Sequence, residues 1–189
     1  MIRVHQEDLC QALSIPPVRK YQFDGGPMPG QIAELIRSTI PGPDAETDVW
    51  RFADALAFNW LIAGTDAHAK NYSLLLAGNQ TRLAPLYDIA SILPYDDSDG
   101  YKLKVAMKVG DDYKLLRTDR RSAWEHAADE LKLDRDRLIT RVLDLADRSP
   151  AAFLEAASGL QVSELPTDLP ERMVTLVSDR TARCMATLS

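Results

Sequence analysis

The spacing of apolar residues along the chain predicts a mostly α-helical protein. Over residues 45–63, apolar side chains recur at three- and four-residue steps, a pattern typical of a helix that buries one face: Phe52, Leu56, Trp60, Ala63. Further helices are predicted over residues 5–13, 31–38, 122–131, 134–148, 150–158 and 169–188.

Polar residues mark where several of these helices are expected to begin. Either Asp44 or Thr47 could cap the long helix, because both residue types accept hydrogen bonds from free backbone N–H groups. Asp134 and Ser149, the latter directly before Pro150, are cap-like residues for two later helices.

The hydrophobic period changes in the middle of the chain. Residues 72–76 and 81–84 flank the pair Gly78-Asn79, which predicts a β-hairpin with a short turn. Alternation over residues 101–109 predicts another strand. The expected fold class is therefore mostly α with a small β-hairpin element.

Length, charge and cysteine content limit the classes of protein to consider. A chain of 189 residues fits a single domain over residues 1–189. Its net charge of −6 argues against a broad nucleic-acid-binding face. The chain shows no signal peptide and no apolar run long enough to cross a bilayer. Cys10 and Cys184 lack metal or redox spacing, so we expect a cytoplasmic protein with no membrane association.

Three oxygen-bearing residues carry the candidate chemistry. Asp66 follows the long helix, Asn71 precedes the first hairpin strand, and Asp88 follows the second. This order suits phosphoryl transfer, in which one carboxylate receives the proton of a hydroxyl nucleophile while an amide and a carboxylate hold Mg²⁺. Asn71 and Asp88 are the expected magnesium ligands and Asp66 the expected base.

Other interpretations of the same segment remain open. The interval Asp66 to Asn71 is common in solvated loops and gains weight only from the elements around it. His68 could bind zinc beside Asp66, although a zinc site needs further ligands. Lys70 is as compatible with a plain surface lysine as with a phosphate contact. A metal-dependent phosphohydrolase usually needs more carboxylates around a second metal.

At these positions the chain resembles the carboxy-terminal lobe of the HipA-type toxin kinases, a protein-kinase-like C-lobe. The resemblance extends beyond the motif and keeps the family's order in blocks at residues 3–13, 20–21, 24–27, 60–71, 83–89, 104–107 and 165–170.

The resemblance implies a role for each matching residue. Asp66 would be the catalytic base, and Asn71 and Asp88 would bind Mg²⁺ and through it ATP. His68 and Lys70 would line the nucleotide side of the loop, and Tyr87 would stand beside the metal-binding aspartate. Kinases of this family phosphorylate serine or threonine, with a family substrate in glutamyl-tRNA synthetase, and they pair with a small DNA-binding, HipB-like antitoxin.

The chain also departs from the family pattern. The family's amino-terminal half supplies a phosphate-binding loop, a strand lysine and an adenine hinge, which we do not find in this sequence. The segment Gly25–Gly30 contains too many prolines to donate successive N–H groups, and Lys20 is poorly placed for the strand lysine. Asp129 and Glu130 stand where some relatives carry basic residues toward DNA, which speaks against direct nucleic-acid binding.

Two functional hypotheses follow. In the first, the chain is a catalytic lobe with little turnover alone, and a separate N-lobe polypeptide or a longer chain completes it. In the second, it is a non-catalytic binding or regulatory remnant that docks on an antitoxin or a full-length kinase.

Overall fold

The protein is mostly helical over residues 4–95, 102–159 and 167–189, the residues that the computed structural model describes. The helices are α1 (Leu9–Ala12), α2 (Pro29–Thr39), α3 (Asp44–Leu61), α4 (Arg121–Leu131), α5 (Arg135–Ala157) and α6 (Leu169–Leu188). No helix in these ranges is long and apolar enough to span a membrane.

The β-structure forms two small antiparallel sheets. Strands β1 (His5–Asp8), β2 (Ser73–Ala77) and β3 (Gln80–Leu83) lie in the order β1-β2-β3, and β4 (Lys104–Val109) pairs with β5 (Asp112–Lys114). The predicted hairpin is confirmed as β2–β3, with Leu74 opposite Leu83. The predicted strand over residues 101–109 is confirmed from Lys104 onward, while Tyr101 lies outside the described residues. The predicted fold class is correct.

The helix predicted over residues 5–13 is wrong in its first half. His5–Asp8 is a strand, because this segment pairs with β2, His5 opposite Leu76 and Asp8 opposite Ser73. The helix begins only at Leu9, where the Asp8 carboxylate accepts a hydrogen bond from the backbone N–H of Gln11 at 2.9 Å.

The break predicted at Ser149-Pro150 is also wrong, since α5 runs without interruption through Pro150. Ser149 is not a cap; its hydroxyl donates to the Leu145 carbonyl inside the helix at 2.6 Å. Helix α5 packs along α6, and we attribute the continuity to this packing, which offsets the hydrogen bond that proline cannot make.

The predicted caps have mixed outcomes. Asp134 caps α5 as expected by accepting from the Arg137 backbone N–H at 2.8 Å. Neither Asp44 nor Thr47 caps α3, because that helix begins one residue earlier than expected and Pro43 holds the cap position.

Helix α3 is the centre of the hydrophobic core and leads directly to the candidate site. Its buried face includes Phe52 and Trp60, and the Trp60 indole meets that of Trp124 on α4 with ring centroids 5.0 Å apart. The Trp60 indole N–H donates to the buried Thr118 hydroxyl at 2.9 Å. The carboxyl end of α3 is therefore fixed in the core.

Candidate active site

The chain turns sharply where α3 meets the loop that carries Asp66. Ala63 adopts a left-handed backbone with φ 52°, and the Gly64 N–H donates to the Asn59 carbonyl at 2.6 Å. A Cβ atom on Gly64 would lie 2.6 Å from Oδ1 of Asn59, so only glycine fits without displacing that side chain. Asn59 is in turn held in α3 by its hydrogen bond to the Ala55 carbonyl at 2.9 Å.

Backbone hydrogen bonds then fix the loop itself. The His68 N–H donates to the Asp66 carbonyl at 2.8 Å, and the Asn71 N–H donates to the His68 carbonyl at 2.9 Å. Residues Ala69–Asn71 form a short 3₁₀ turn just before β2. This geometry turns the loop back on itself within six residues, which keeps Asp66 and Asn71 together.

The Asn71 amide joins the loop to Asp88. Its Nδ2 donates to the Asp88 carboxylate at 3.1 Å, to the Asp88 carbonyl at 3.3 Å and to the Asp66 carbonyl at 3.3 Å. Asn71 is buried, and Asp88 adopts a left-handed backbone with φ 54°. Asn71 and Asp88, the predicted magnesium ligands, are thus in direct contact. The backbone carbonyl of Asp66, the predicted base, accepts from the same amide.

The Asp66 side chain has a different partner. One carboxylate oxygen, Oδ1, accepts a hydrogen bond from the Tyr21 hydroxyl. This hydrogen bond, with smaller contributions from burial and nearby carboxylates, raises the pKa of Tyr21 to about 12. Tyr21 is therefore a neutral donor at physiological pH.

His68 is buried between these groups. Its ring meets Tyr21 edge-on at 5.1 Å, and its Nδ1 has no hydrogen-bond partner among the described residues. Burial, and then the positive charge of Lys20, lower the pKa of His68 below its ordinary value of 6.5. The imidazole is therefore neutral at pH 7 and packs beneath the Tyr21 contact.

The two remaining predicted residues interact through other groups. The Lys70 ammonium pairs with the Asp8 carboxylate at 2.6 Å, the same carboxylate that caps α1. The Tyr87 hydroxyl donates to the Lys70 carbonyl at 2.6 Å and lies 2.5 Å from the Ser73 hydroxyl. Tyr87 thus ties the segment before Asp88 to the loop that carries Asp66, and the Lys70 ammonium is paired at the β1–α1 junction.

Comparison with known proteins places this chain in a family. The profile of the HipA-like C-terminal domain matches residues 2–153, most of the chain. The chain belongs to the HipA-like C-terminal domain family.

Individual relatives of this HipA-like domain agree with that assignment. The protein Y4mE of Sinorhizobium fredii is 38% identical over 164 residues, which cover 85% of this chain and 37% of Y4mE. The serine/threonine-protein kinase toxin HipA of Shewanella oneidensis is 30% identical over 172 residues, covering 82% of this chain and 37% of the toxin. The chain therefore spans little more than a third of the length of these relatives.

A solved structure shows the same fold. The complex of the Shewanella oneidensis toxin–antitoxin proteins HipA and HipB with operator DNA contains a chain that matches 99% of this one with a TM-score of 0.79. The match covers 44% of that chain at 24% sequence identity, and it shows that the two chains share this fold.

The oxygen atoms of this HipA-like domain suit Mg²⁺ better than a transition metal. Within the described ranges, no group of three or more His, Cys, Asp and Glu side chains is arranged to hold a metal ion. Magnesium typically takes only one or two protein carboxylates and completes its shell with water and substrate phosphates. The Asp88 carboxylate and the amide oxygen of Asn71 are oxygen atoms of this kind, and they fit such an ion once the Asn71 amide turns its oxygen toward it.

The sequence patterns did not identify three residues that shape this site. Tyr21 binds the Asp66 carboxylate, Asn59 holds the Gly64 turn, and Asp8 pairs with Lys70. Tyr21 and Asp8 lie in segments that carry the family resemblance, which was the available signal, but their contacts span 45 and 62 residues of sequence. Periodicity reports only neighbours along an element, so it cannot show such contacts.

Proposed function

We propose that this HipA-like domain is the catalytic lobe of a serine/threonine protein kinase of a toxin–antitoxin system that uses Mg²⁺ and ATP. The observation that carries the proposal is the Asn71 amide, which hydrogen-bonds both the Asp88 carboxylate and the backbone of Asp66. A proton acceptor and two hard oxygen ligands next to one another are what phosphoryl transfer requires.

Each residue has a chemical role in this proposal. Asp66 takes the proton of the attacking serine or threonine hydroxyl through the carboxylate oxygen that Tyr21 leaves available. Asn71 and Asp88 provide oxygen ligands for Mg²⁺, which when bound neutralises charge on the phosphates of ATP. Neutral His68 supports the loop from below, Tyr87 fixes the approach to Asp88, and Lys70 holds the loop to the β1–α1 junction.

The relatives suggest the biological setting. One is a serine/threonine-protein kinase toxin, and the solved neighbour was captured with HipB and operator DNA. We propose a HipB-like antitoxin as partner, a serine or threonine of a tRNA synthetase as substrate, and the cytoplasm as location. With a net charge of −6, contact with DNA would come through the antitoxin rather than through this domain.

We further propose that the nucleotide is clamped by polypeptide outside these 189 residues, on an N-lobe in a longer chain or a separate partner. The Gly25–Gly30 segment is not free to wrap phosphate. Gly25 and Gly26 close a turn, and Pro29 and Gly30 already belong to α2. The 189-residue polypeptide should therefore bind ATP weakly and turn over little when assayed alone.

A phosphorylation assay with an N-lobe polypeptide of this family supplied, fused or in trans, tests the proposal. Asp66→Asn should lower turnover by about 10²- to 10⁴-fold, the usual contribution of a general base. Asp88→Asn and Asn71→Ala should instead raise the Mg²⁺ concentration needed for half-maximal rate. Asp147→Asn, an exposed carboxylate on α5, is the matched control and should leave turnover unchanged.

The result also separates the two functional hypotheses. Full turnover by Asp66→Asn would overturn the assignment of the base. Absence of phosphate transfer in every N-lobe context, together with antitoxin binding unaffected by all three site variants, would favour the non-catalytic docking module.

A further inference from the structure

The glycine-rich segment that begins at Gly25, which is not free to bind phosphate, closes a tight turn onto Tyr21. The Tyr21 carbonyl accepts hydrogen bonds from the N–H groups of Asp24 at 3.1 Å and Gly26 at 2.8 Å. Gly25 has φ 90°, and a Cβ atom on Gly26 would lie 2.6 Å from the Tyr21 carbonyl oxygen. Both glycines are required by the turn, so the turn fixes the backbone of Tyr21.

This turn is bonded to the rest of the protein on two sides. The Ala69 N–H, inside the catalytic loop, donates to the Lys20 carbonyl at 3.2 Å. The Lys108 N–H on β4 donates to the Gln22 side chain at 2.8 Å. Tyr21 lies between these two attachments, so its position follows that of the catalytic loop.

The ring of Tyr21 is held as firmly as its backbone. Phe23 stacks on it with centroids 5.2 Å apart and planes 16° apart, and His68 meets its edge at 5.1 Å. The Lys20 ammonium lies over the ring face, 5.1 Å from the centroid. These contacts leave the hydroxyl pointing at the Asp66 carboxylate, to which it donates.

We propose that Tyr21 is a positioning residue for the Asp66 carboxylate. Its hydroxyl holds Oδ1 and thereby keeps the other carboxylate oxygen available to the acceptor hydroxyl. The inference rests on the proposed role of Asp66 as base.

A tyrosine hydroxyl suits the task of orienting this carboxylate. A neutral hydroxyl orients the carboxylate without placing a full positive charge on it, whereas an Arg or Lys in the same place would weaken it as a proton acceptor. The cation in this neighbourhood, Lys20, is directed to the face of the Tyr21 ring.

Tyrosine ionisation in the 189-residue chain tests the contact without any need for turnover. With ¹³C-labelled tyrosine, Tyr21 should remain mostly protonated at about pH 11 in the wild type and become mostly ionised in Asp66→Asn, since a free tyrosine has a pKa of about 10. Tyr21→Phe assigns the signal. Tyr113, whose pKa is raised by burial, is the internal control and should titrate equally in both proteins.

Two outcomes would overturn the inference at this stage. One is a Tyr21 signal already ionised near pH 10 in the wild type, a result that needs no folded variant. The other is identical titration in the wild type and Asp66→Asn. Buried Tyr72, whose pKa is also raised by burial, should stay protonated and so report that the chain is still folded.

Kinetics with the N-lobe supplied test the consequence. Tyr21→Phe keeps the stacked ring and should lower kcat about tenfold with little change in the KM for ATP, because only the orientation of the base is lost. Tyr113→Phe removes the hydroxyl of a ring that meets Phe23 edge-on at 5.8 Å, and it should match the wild type. If Tyr21→Phe keeps the wild-type kcat while Asp66→Asn is inactive, the positioning role of Tyr21 is refuted and the proposed function stands. If Asp66→Asn is active, the proposed function itself is refuted.

Discussion

The guanidinium of Arg180 lies over the indole ring of Trp60 and donates two hydrogen bonds to the carbonyl oxygen of the same residue. The nitrogens Nε and Nη2 are 3.1 Å and 3.0 Å from that oxygen, and the guanidinium carbon is 5.4 Å from a Trp60 ring centroid. Trp60 is in the last turn of α3, where carbonyl groups lack helical partners. Arg180, on α6, therefore caps the helix that leads into the Asp66 loop.

We predict that Arg180→Leu costs about 3 kcal/mol of unfolding free energy. The side chain of Arg180 is 3% exposed and pairs with Asp119 at 3.3 Å. Its removal leaves a mostly buried carboxylate without its cation, and leaves the Trp60 carbonyl with only the Ala63 N–H, at 3.2 Å, among the described residues. Urea unfolding measures the change. Arg148→Leu, which breaks an exposed pair with Asp144 on α5, is the control and should cost under about 1 kcal/mol. Equal losses in the two variants would contradict the capping role.

A second prediction concerns acid sensitivity and the fully buried Asp48. Burial alone would raise the pKa of Asp48, but hydrogen bonds from Arg82, the Leu83 N–H and Arg51 outweigh it and hold the pKa below 3.8. The stabilisation that the Asp48 carboxylate gives is therefore complete above pH 3.8, and it is lost as the pH falls through the lower pKa of the folded state. Asp48→Asn should cost about 3 kcal/mol at about pH 7 and less at about pH 3, because the unfolded chain is by then mostly protonated at this residue. Urea unfolding at both values checks this, and Asp147→Asn should show the same small effect at each.

Local patterns predicted most of the helices because their signals lie within single elements. Helix α3 shows its buried stripe directly, and Asp134 caps α5 through a residue only three positions away. The pattern failed at His5–Asp8, where the strand is set by pairing with β2, far along the chain. It failed again at Pro150, where packing against α6 offsets the local preference of proline to end a helix.

The site shows the same division between local and distant information. Spacing and resemblance placed Asp66, Asn71 and Asp88 in one motif. In the structure the Asn71 amide donates to the Asp66 carbonyl and to the Asp88 carboxylate. Nothing in the spacing could show that Tyr21 donates to Asp66, or that the Lys70 ammonium pairs with Asp8. Those contacts depend on the turn at Gly25-Gly26 and on the position of β1, both set by tertiary structure.

A third prediction concerns the turn before the loop that carries Asp66. Gly64→Ala should cost about 2 kcal/mol, because the new Cβ would lie 2.6 Å from the Asn59 side chain and that side chain must shift. The shift should also move the backbone amide signals of residues 66–71 in NMR spectra. Gly78→Ala is the control: its φ of 61° makes alanine costly by about 1 kcal/mol, but its Cβ would meet nothing within 4 Å. Unchanged signals for residues 66–71 in Gly64→Ala would show that the turn does not set the loop.

The last prediction concerns His68 and the stability of the loop in mild acid. Burial, followed by Lys20, lowers the pKa of His68 below 6.5, so the unfolded chain binds a proton before the folded chain does. Stability from the neutral imidazole is therefore complete above pH 6.5 and declines as the pH falls from there toward the folded-state pKa. His68→Gln should reduce the slope of unfolding free energy against pH between 6.5 and about 5, whatever its effect at neutral pH. His5→Gln, which removes an exposed imidazole on β1, is the comparison variant. An unchanged slope in His68→Gln would mean that the buried His68 ring does not cause the loss of stability in mild acid.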